Sequence, residues 1–217
     1  LAVPQALITE KGALLLEETR TPKLILASTS PRRRELLASL QLPFEVVPSH
    51  ADESVQAGLS PEKIVETLAL RKAGAVAQTV REQHDNTLII GSDTIVVLDG
   101  EILGKPADEA DAVRMITSLQ GRTHRVFTGV ACIHTGTGEQ NVGYRETSVT
   151  MKPLDAKMIA AYVKTGEPAD KAGAYAIQGF GATLIEGIQG CYFNVVGLPL
   201  SLLSDMLSGF GISVLRP

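Results

Sequence analysis

The sequence predicts an α/β protein, a mixed β-sheet with flanking helices. Three observations carry that reading. Short apolar runs of strand length alternate along the chain with segments of helical period. Ser30-Pro31 and Ser60-Pro61 each mark a helix start, because serine caps free N–H groups and proline has none to satisfy. Strand-like runs outnumber helical ones and interleave with them, which by itself admits an α/β or an α+β arrangement of one mixed sheet.

The elements follow in order. Residues 1–21 read as an N-terminal extension, either a short helix near 13–18 or a loose segment, and residues 22–217 as the domain. The apolar run Leu24-Ile25-Leu26-Ala27 is a strand. A helix follows over 31–40, with Leu36, Leu37 and Leu40 on one face. A short strand at 44–47 leads into a polar loop, 48–59, that holds Asp52 and Glu53. The second Ser-Pro opens a long helix to about residue 80. Two β-rich runs, 87–90 and 94–98, flank Gly91-Ser92-Asp93, which reads either as a turn or as a strand end bearing a carboxylate. Asp99-Gly100 is a hairpin turn with its return strand at 101–103. A helix fits 108–119, strands fit 126–134 and 142–151 across a Gly-rich turn, and a helix fits 155–164. Strands at 175–178, 183–188 and 192–196 precede a closing helix at 199–207.

Composition excludes several classes. The 217 residues are 44% hydrophobic and 20% charged, with a formal charge of −4, ordinary for a globular domain or two small lobes. A net acidic chain without tryptophan lacks the broad basic face and the stacking platform of a nonspecific nucleic-acid binder. No apolar stretch is long enough to span a membrane. No basic–apolar–cleavage pattern of a signal peptide is present either, so the expected location is cytoplasmic. Cys132 and Cys191 each lie in an apolar run and read as inert core thiols rather than a disulfide or metal pair. The four histidines show no ligand spacing.

The chemistry concentrates in a few places. Arg32, Arg33 and Arg34 follow Pro31 on the first turn of a helix. Cations there oppose the helix dipole unless an anion joins them, so the cluster points to a phosphate site. Lys72 falls within or beside the apolar stripe Val65, Leu68, Ala69, Ala75 and Val76. Its ammonium must snorkel outward or reach a cleft where an anion compensates it. Asp93, in a sheltered cleft, offers a general base or a metal ligand, and Glu53 a second carboxylate. Lys105 follows a glycine, but Pro106 and the spacing rule out a Walker A loop. Gly136-Thr137-Gly138 lacks the third glycine of a dinucleotide fingerprint and reads as a hairpin turn. Cations and carboxylates without a nucleophilic triad, joined by a divalent metal, suit phosphate-ester chemistry.

Several longer motifs go further. They are Ala27-Ser28-Thr29-Ser30-Pro31-Arg32-Arg33, Gly91-Ser92-Asp93-Thr94, Leu103-Gly104-Lys105-Pro106 and Gly121-Arg122-Thr123-His124. Later come Thr128-Gly129-Val130, the run from Gly166-Glu167-Pro168 through Ala176-Ile177-Gln178-Gly179, and Asn194-Val195-Val196-Gly197-Leu198-Pro199. In this order they resemble the Maf (septum-formation inhibitor-like) nucleoside triphosphate pyrophosphatases. The resemblance implies an inosine triphosphate pyrophosphatase-like fold with two lobes around a cleft, and a homodimer. It implies hydrolysis of a triphosphate to monophosphate and pyrophosphate with Mg²⁺ or Mn²⁺. Asp93 matches the family's proton acceptor and, with Glu53, the metal site. Substrate positions fall on Ser28, Arg32, Arg33, Lys72, Thr94, Lys105 and Gln178, with Arg32, Thr94 and Gln178 setting specificity. Ala174-Tyr175-Ala176-Ile177-Gln178-Gly179 is similar to the branch acting on dTTP, UTP and modified pyrimidine nucleotides. A non-catalytic nucleotide-binding regulator of cell division is the alternative, and the sequence leaves open the preferred nucleotide.

Overall fold

One strand organises the molecule. In the computed structural model, which describes residues 21–56, 58–80 and 86–215, β3 runs unbroken over Thr87–Leu98. On one side it pairs in parallel with β1, Lys23–Leu26, which pairs in parallel with β2, Phe44–Val46. On the other side it pairs antiparallel with β5, Thr123–His134. β6, Gln140–Met151, and β7, Ile185–Gly190, continue that side antiparallel. The short β4, Glu101–Leu103, returns antiparallel along the far end of β3 and completes the seven strands of a mixed sheet. The β3–β4 turn has positive φ at both Asp99 (52°) and Gly100 (85°), the primed turn that Asp-Gly favours.

Helices cover both faces. α1, Pro31–Ser39, follows β1 directly, with Ser30 as its N-cap and Pro31 in its first turn. α2, Pro61–Val80, lies across β3 and β5, burying Ala69 and Ala73 among Ile89 and Ala131, and Val65 among Ile95 and Phe127. α3, Glu109–Leu119, and α4, Ala156–Val163, are capped by Asp108 and Asp155 and share a core with the far ends of β3, β5 and β6. α5, Tyr192–Val196, and α6, Leu200–Gly209, close the face that carries α1. The core thus divides into one group around α3 and α4 and others around α1, α2 and α6.

Three expectations change. The two runs around Gly91-Ser92-Asp93 are one strand, so Asp93 lies mid-strand and not at a turn or strand end. The pairs Gly91–Ala131, Ser92–Val130 and Asp93–Gly129 hold these turn-prone residues in the ladder. Residues 192–196 form α5 rather than a strand. There Asn194, fully buried, donates to Val126 O and Thr147 Oγ1, both at 2.9 Å, and these long-range bonds override β propensity. Residues 175–178 have no strand partner, and β7 begins only at Ile185, after a 3₁₀ turn over Gly179–Leu184. Cys132 is buried as expected, whereas Cys191 is half-buried at the start of α5. The extension up to residue 20, with its expected helix near 13–18, and His84 lie outside the described residues. No helix among the described residues is long and apolar enough to cross a membrane.

Candidate active site

The sheet leaves a gap. β1 pairs with β3 only as far as Ile90, and β4 begins pairing at Val96. Between them the edge of β3 is uncovered, beyond the carboxyl end of a parallel strand, where open α/β sheets hold ligands. A cleft of about 590 Å³ occupies the gap. Ser28, Arg32, Arg33, Glu53, Lys72, Asp93, Thr94, Lys105 and Gln178 all line it. The structure therefore brings together every position that the family resemblance implies. Arg34 is exposed and lies outside it.

Strand alternation divides the work. Gly91 and Asp93 face α2, whereas Ser92 and Thr94 face α1. On the α2 side, Lys72 Nζ donates to Asp93 Oδ1 at 2.6 Å and pairs with Glu53 Oε1 at 2.7 Å. The lysine therefore takes the cleft alternative. Its side chain is 13% exposed and that of Asp93 12%, while Glu53, on its loop, is 61% exposed. The Lys72 hydrogen bond holds the Glu53 carboxyl below its usual range, against a smaller opposing effect of burial.

On the α1 side, Arg33 is held rigidly. Its Nε donates to Gly197 O at 2.9 Å and its Nη2 to Thr94 Oγ1 at 3.0 Å. Thr94 Oγ1 lies 2.9 Å from Thr128 Oγ1, and Thr128 donates its one proton to Asn194 O at 2.8 Å. Thr94 must therefore donate to Thr128 while accepting from Arg33, because each hydroxyl has a single proton. Burial lowers the Arg33 pKa, and the Asp93 charge opposes that shift. A half-buried guanidinium with a preset orientation is suited to an incoming anion. Ser28 Oγ accepts from Ser30 N at 3.1 Å, which leaves its proton for a ligand.

The far wall comes from the loops after β4 and α4. Gly173 N donates to Gly104 O at 2.9 Å, which ties the loop of Lys105 to that of Lys171. Lys171 and Asp170 line the cleft, and no sequence reasoning assigned them a role, though both lie in the long motif from Gly166. Asp170 pairs with Lys171 and sits 3.8 Å from Arg32 Nη2. Burial acts to raise its pKa, but the Lys171 hydrogen bond and the two cations leave it lowered.

Behind that wall, Tyr175 Oη meets His124 Nε2 at 2.6 Å, and His124 is 2% exposed. Burial pulls the imidazole from 6.5 down to about 4. Between these values the unfolded chain binds a proton that the folded chain does not, so stability falls with pH. Across that window the loss reaches about 3 kcal/mol. Urea titrations at intervals from pH 6.5 to pH 4 should show this slope, and His124→Gln should remove it, leaving only the slope due to carboxylates.

Fold and site together define a class: an α/β protein whose cleft pairs a cation cluster with a carboxylate, as an anionic substrate with a reactive ester or anhydride requires. The chain belongs to the Maf-like protein family, whose model matches residues 23–210. It is 54% identical over 192 residues to the dTTP/UTP pyrophosphatase of Moorella thermoacetica, covering 88% of this chain and 97% of that protein. The dTTP/UTP pyrophosphatase of Pelotomaculum thermopropionicum is 50% identical over 193 residues, covering 89% and 99%. Among solved structures, the Staphylococcus aureus Ham1 protein aligns with a TM-score of 0.46 and 15% identity over 75% of this chain and 79% of that one.

Proposed function

We propose that the protein hydrolyses a pyrimidine nucleoside triphosphate such as dTTP or UTP to the monophosphate and pyrophosphate. The observation that carries the reading is Lys72 Nζ bridging Asp93 and Glu53 inside a cleft that also holds Arg32, Arg33 and Lys105. The names of the two bacterial relatives support the choice of substrate. Arg32, Arg33, Lys72 and Lys105, with Ser28, hold the phosphate oxygens. A water attacks the α-phosphorus, its proton passes to Asp93, the α–β bridging bond breaks and pyrophosphate leaves. With Oδ1 taken by Lys72, Oδ2 is the oxygen that receives the proton. The cations offset the charge that grows on the transferring group, which is where most of the rate arises.

Mg²⁺ or Mn²⁺ is the expected cofactor, and Glu53 and Asp93 fit it. They are hard oxygen donors. Among the described residues no cluster of three or more His, Cys, Asp or Glu side chains is placed to hold an ion. Two carboxylates completed by substrate phosphates is how Mg²⁺ is commonly held. When bound, the ion supplies charge neutralisation on the phosphates.

Gln178, with a donor and an acceptor on one amide, reads the pyrimidine edge. Thr94 adds an acceptor lone pair and its grip on Arg33. The reading carries with it a cytoplasmic homodimer. A panel of triphosphates incubated with Mg²⁺ tests it. Pyrophosphate and monophosphate should appear in equal amounts, fastest from dTTP or UTP. Orthophosphate would mark a phosphatase, and no release from any nucleotide would mark a nucleotide-binding regulator.

A further inference from the structure

Gln178 sits between two tethers. Before it, Ala176 N donates to Tyr162 Oη at 3.1 Å. After it, Phe180 N and Gly181 N donate to Glu167 Oε2 and Oε1 at 2.9 and 2.8 Å. The two anchors are themselves joined, because Tyr162 Oη donates to Glu167 Oε1 at 2.9 Å. One carboxylate thus gathers three donors, and two of them are backbone amides from the turn that follows the glutamine.

The glycines of this turn fit that arrangement. Gly179 has φ +64°, and a Cβ there would run into Glu167 Oε2. A Cβ on Gly181 would overlap the Ala176 carbonyl oxygen and lie 2.7 Å from Tyr162 Oη and 3.0 Å from Glu167 Oε1. Gly179 needs glycine for its left-handed backbone beside the carboxylate, and Gly181 because the chain closes tightly on the Ala176 backbone and on both clamp side chains. Among the described residues Glu167 makes no ion pair, so its charge is met by backbone dipoles. Hydrogen bonds to an ionised acceptor are the strong kind.

We propose that Tyr162 and Glu167 form a positioning clamp for Gln178, and that base selectivity depends on it. The clamp fixes the backbone two residues before Gln178 and two and three residues after it. A side-chain amide that must meet a base edge at hydrogen-bond distance tolerates little drift, and the clamp removes the drift. Neither residue lines the cleft, so neither touches the nucleotide. The inference rests on Gln178 reading the base, as proposed above.

Glu167→Gln is the test. Its amide keeps one acceptor oxygen but turns an NH₂ toward a backbone N–H, so at least one tether is lost. Tyr162→Phe is the milder second variant, removing the link and the Ala176 tether. Both are made in an Asp93→Asn background and read by equilibrium binding of dTTP, dATP and inorganic tripolyphosphate. Each should lower the dTTP-over-dATP affinity ratio, Glu167→Gln by about tenfold, the worth of one hydrogen bond, with tripolyphosphate affinity unchanged. Adding Gln178→Ala should abolish the effect of Glu167→Gln on the ratio. An unchanged ratio, or equal losses for all three ligands, overturns the clamp. Because binding is the readout, the result stands apart from the pyrophosphate assay, whose failure would count against the hydrolase reading alone.

Discussion

Asp93→Asn should fold, bind metal-free nucleotide as well as the natural protein or better, and lose kcat by about 10²–10⁴-fold, the range for removing a general base. Asparagine has the same shape and keeps an acceptor for Lys72 Nζ, which donates at 2.6 Å in the natural protein. Lys72 also keeps Glu53 at 2.7 Å, so no ammonium is stranded in the cleft. What disappears is the negative charge that can take a proton. Removing it also removes repulsion toward an incoming polyanion, so binding measured without a divalent metal does not weaken. The two parameters therefore move apart, and that separation distinguishes a base from a structural carboxylate. Single-turnover rates and equilibrium binding of dTTP, measured on the same preparation, give both numbers. Equal losses in rate and affinity would return Asp93 to a structural role, with the Lys72 pair merely holding α2 to the sheet.

Much of this site was legible because its signals are local. Ser30-Pro31 marks the start of α1, and the arginines behind it have a physical reason to seek an anion. Lys72 was conspicuous because a charge beside an apolar helical stripe must be compensated, and its partner proved to be the acid on the neighbouring strand. The element boundaries at Ser60-Pro61 and Asp99-Gly100 held for the same reason. Readings failed where distant partners decide. Tyr192, Phe193, Val195 and Val196 favour a strand, yet the side chain of Asn194 bonds two strands and its carbonyl receives Thr128, and the segment turns into a helix. Asp93 looked like part of a turn because Gly-Ser-Asp suits one. Only the pairing with β5 and the closeness of α2 show why a glycine stands mid-strand. Lys171 and Glu167 belong to segments without periodicity, and Tyr162, though on the predicted helix α4, meets Glu167 only through the fold, where no spacing rule places one side chain against another.

That closeness of α2 sets up the second large effect. Gly91 and Gly129 mark where the helix backbone rests on the sheet. A Cβ on Gly129 would overlap the Val65 carbonyl and come within 2.9 Å of Glu66 N, and one on Gly91 would overlap Ala69 O and reach 2.8 Å from Ala73 N. These are backbone atoms in the middle of a 20-residue helix, so no rotamer change can make room. Gly129→Ala must push α2 off the strands, uncovering Val65, Ala69 and Ile95 together. The expected loss is about 3 kcal/mol or more, toward the upper end for overpacking. For a chain of this size that is a fall in Tm of about 6–12 °C. Gly74→Ala, on the same helix, is the opposing control. Its Cβ would meet only Ile133 Cδ1 at 3.9 Å, ordinary contact, and the helix gains about 0.5–1 kcal/mol from replacing glycine. Thermal melts of the two variants should therefore move in opposite directions. The chemistry should follow the same geometry, because lifting α2 draws Lys72 away from Asp93. Gly129→Ala should accordingly lose turnover at temperatures where it is still folded, and Gly74→Ala should keep it. If both alanines melt within about 2 °C of the natural protein, close seating of helix on sheet is not what brings the lysine to the acid.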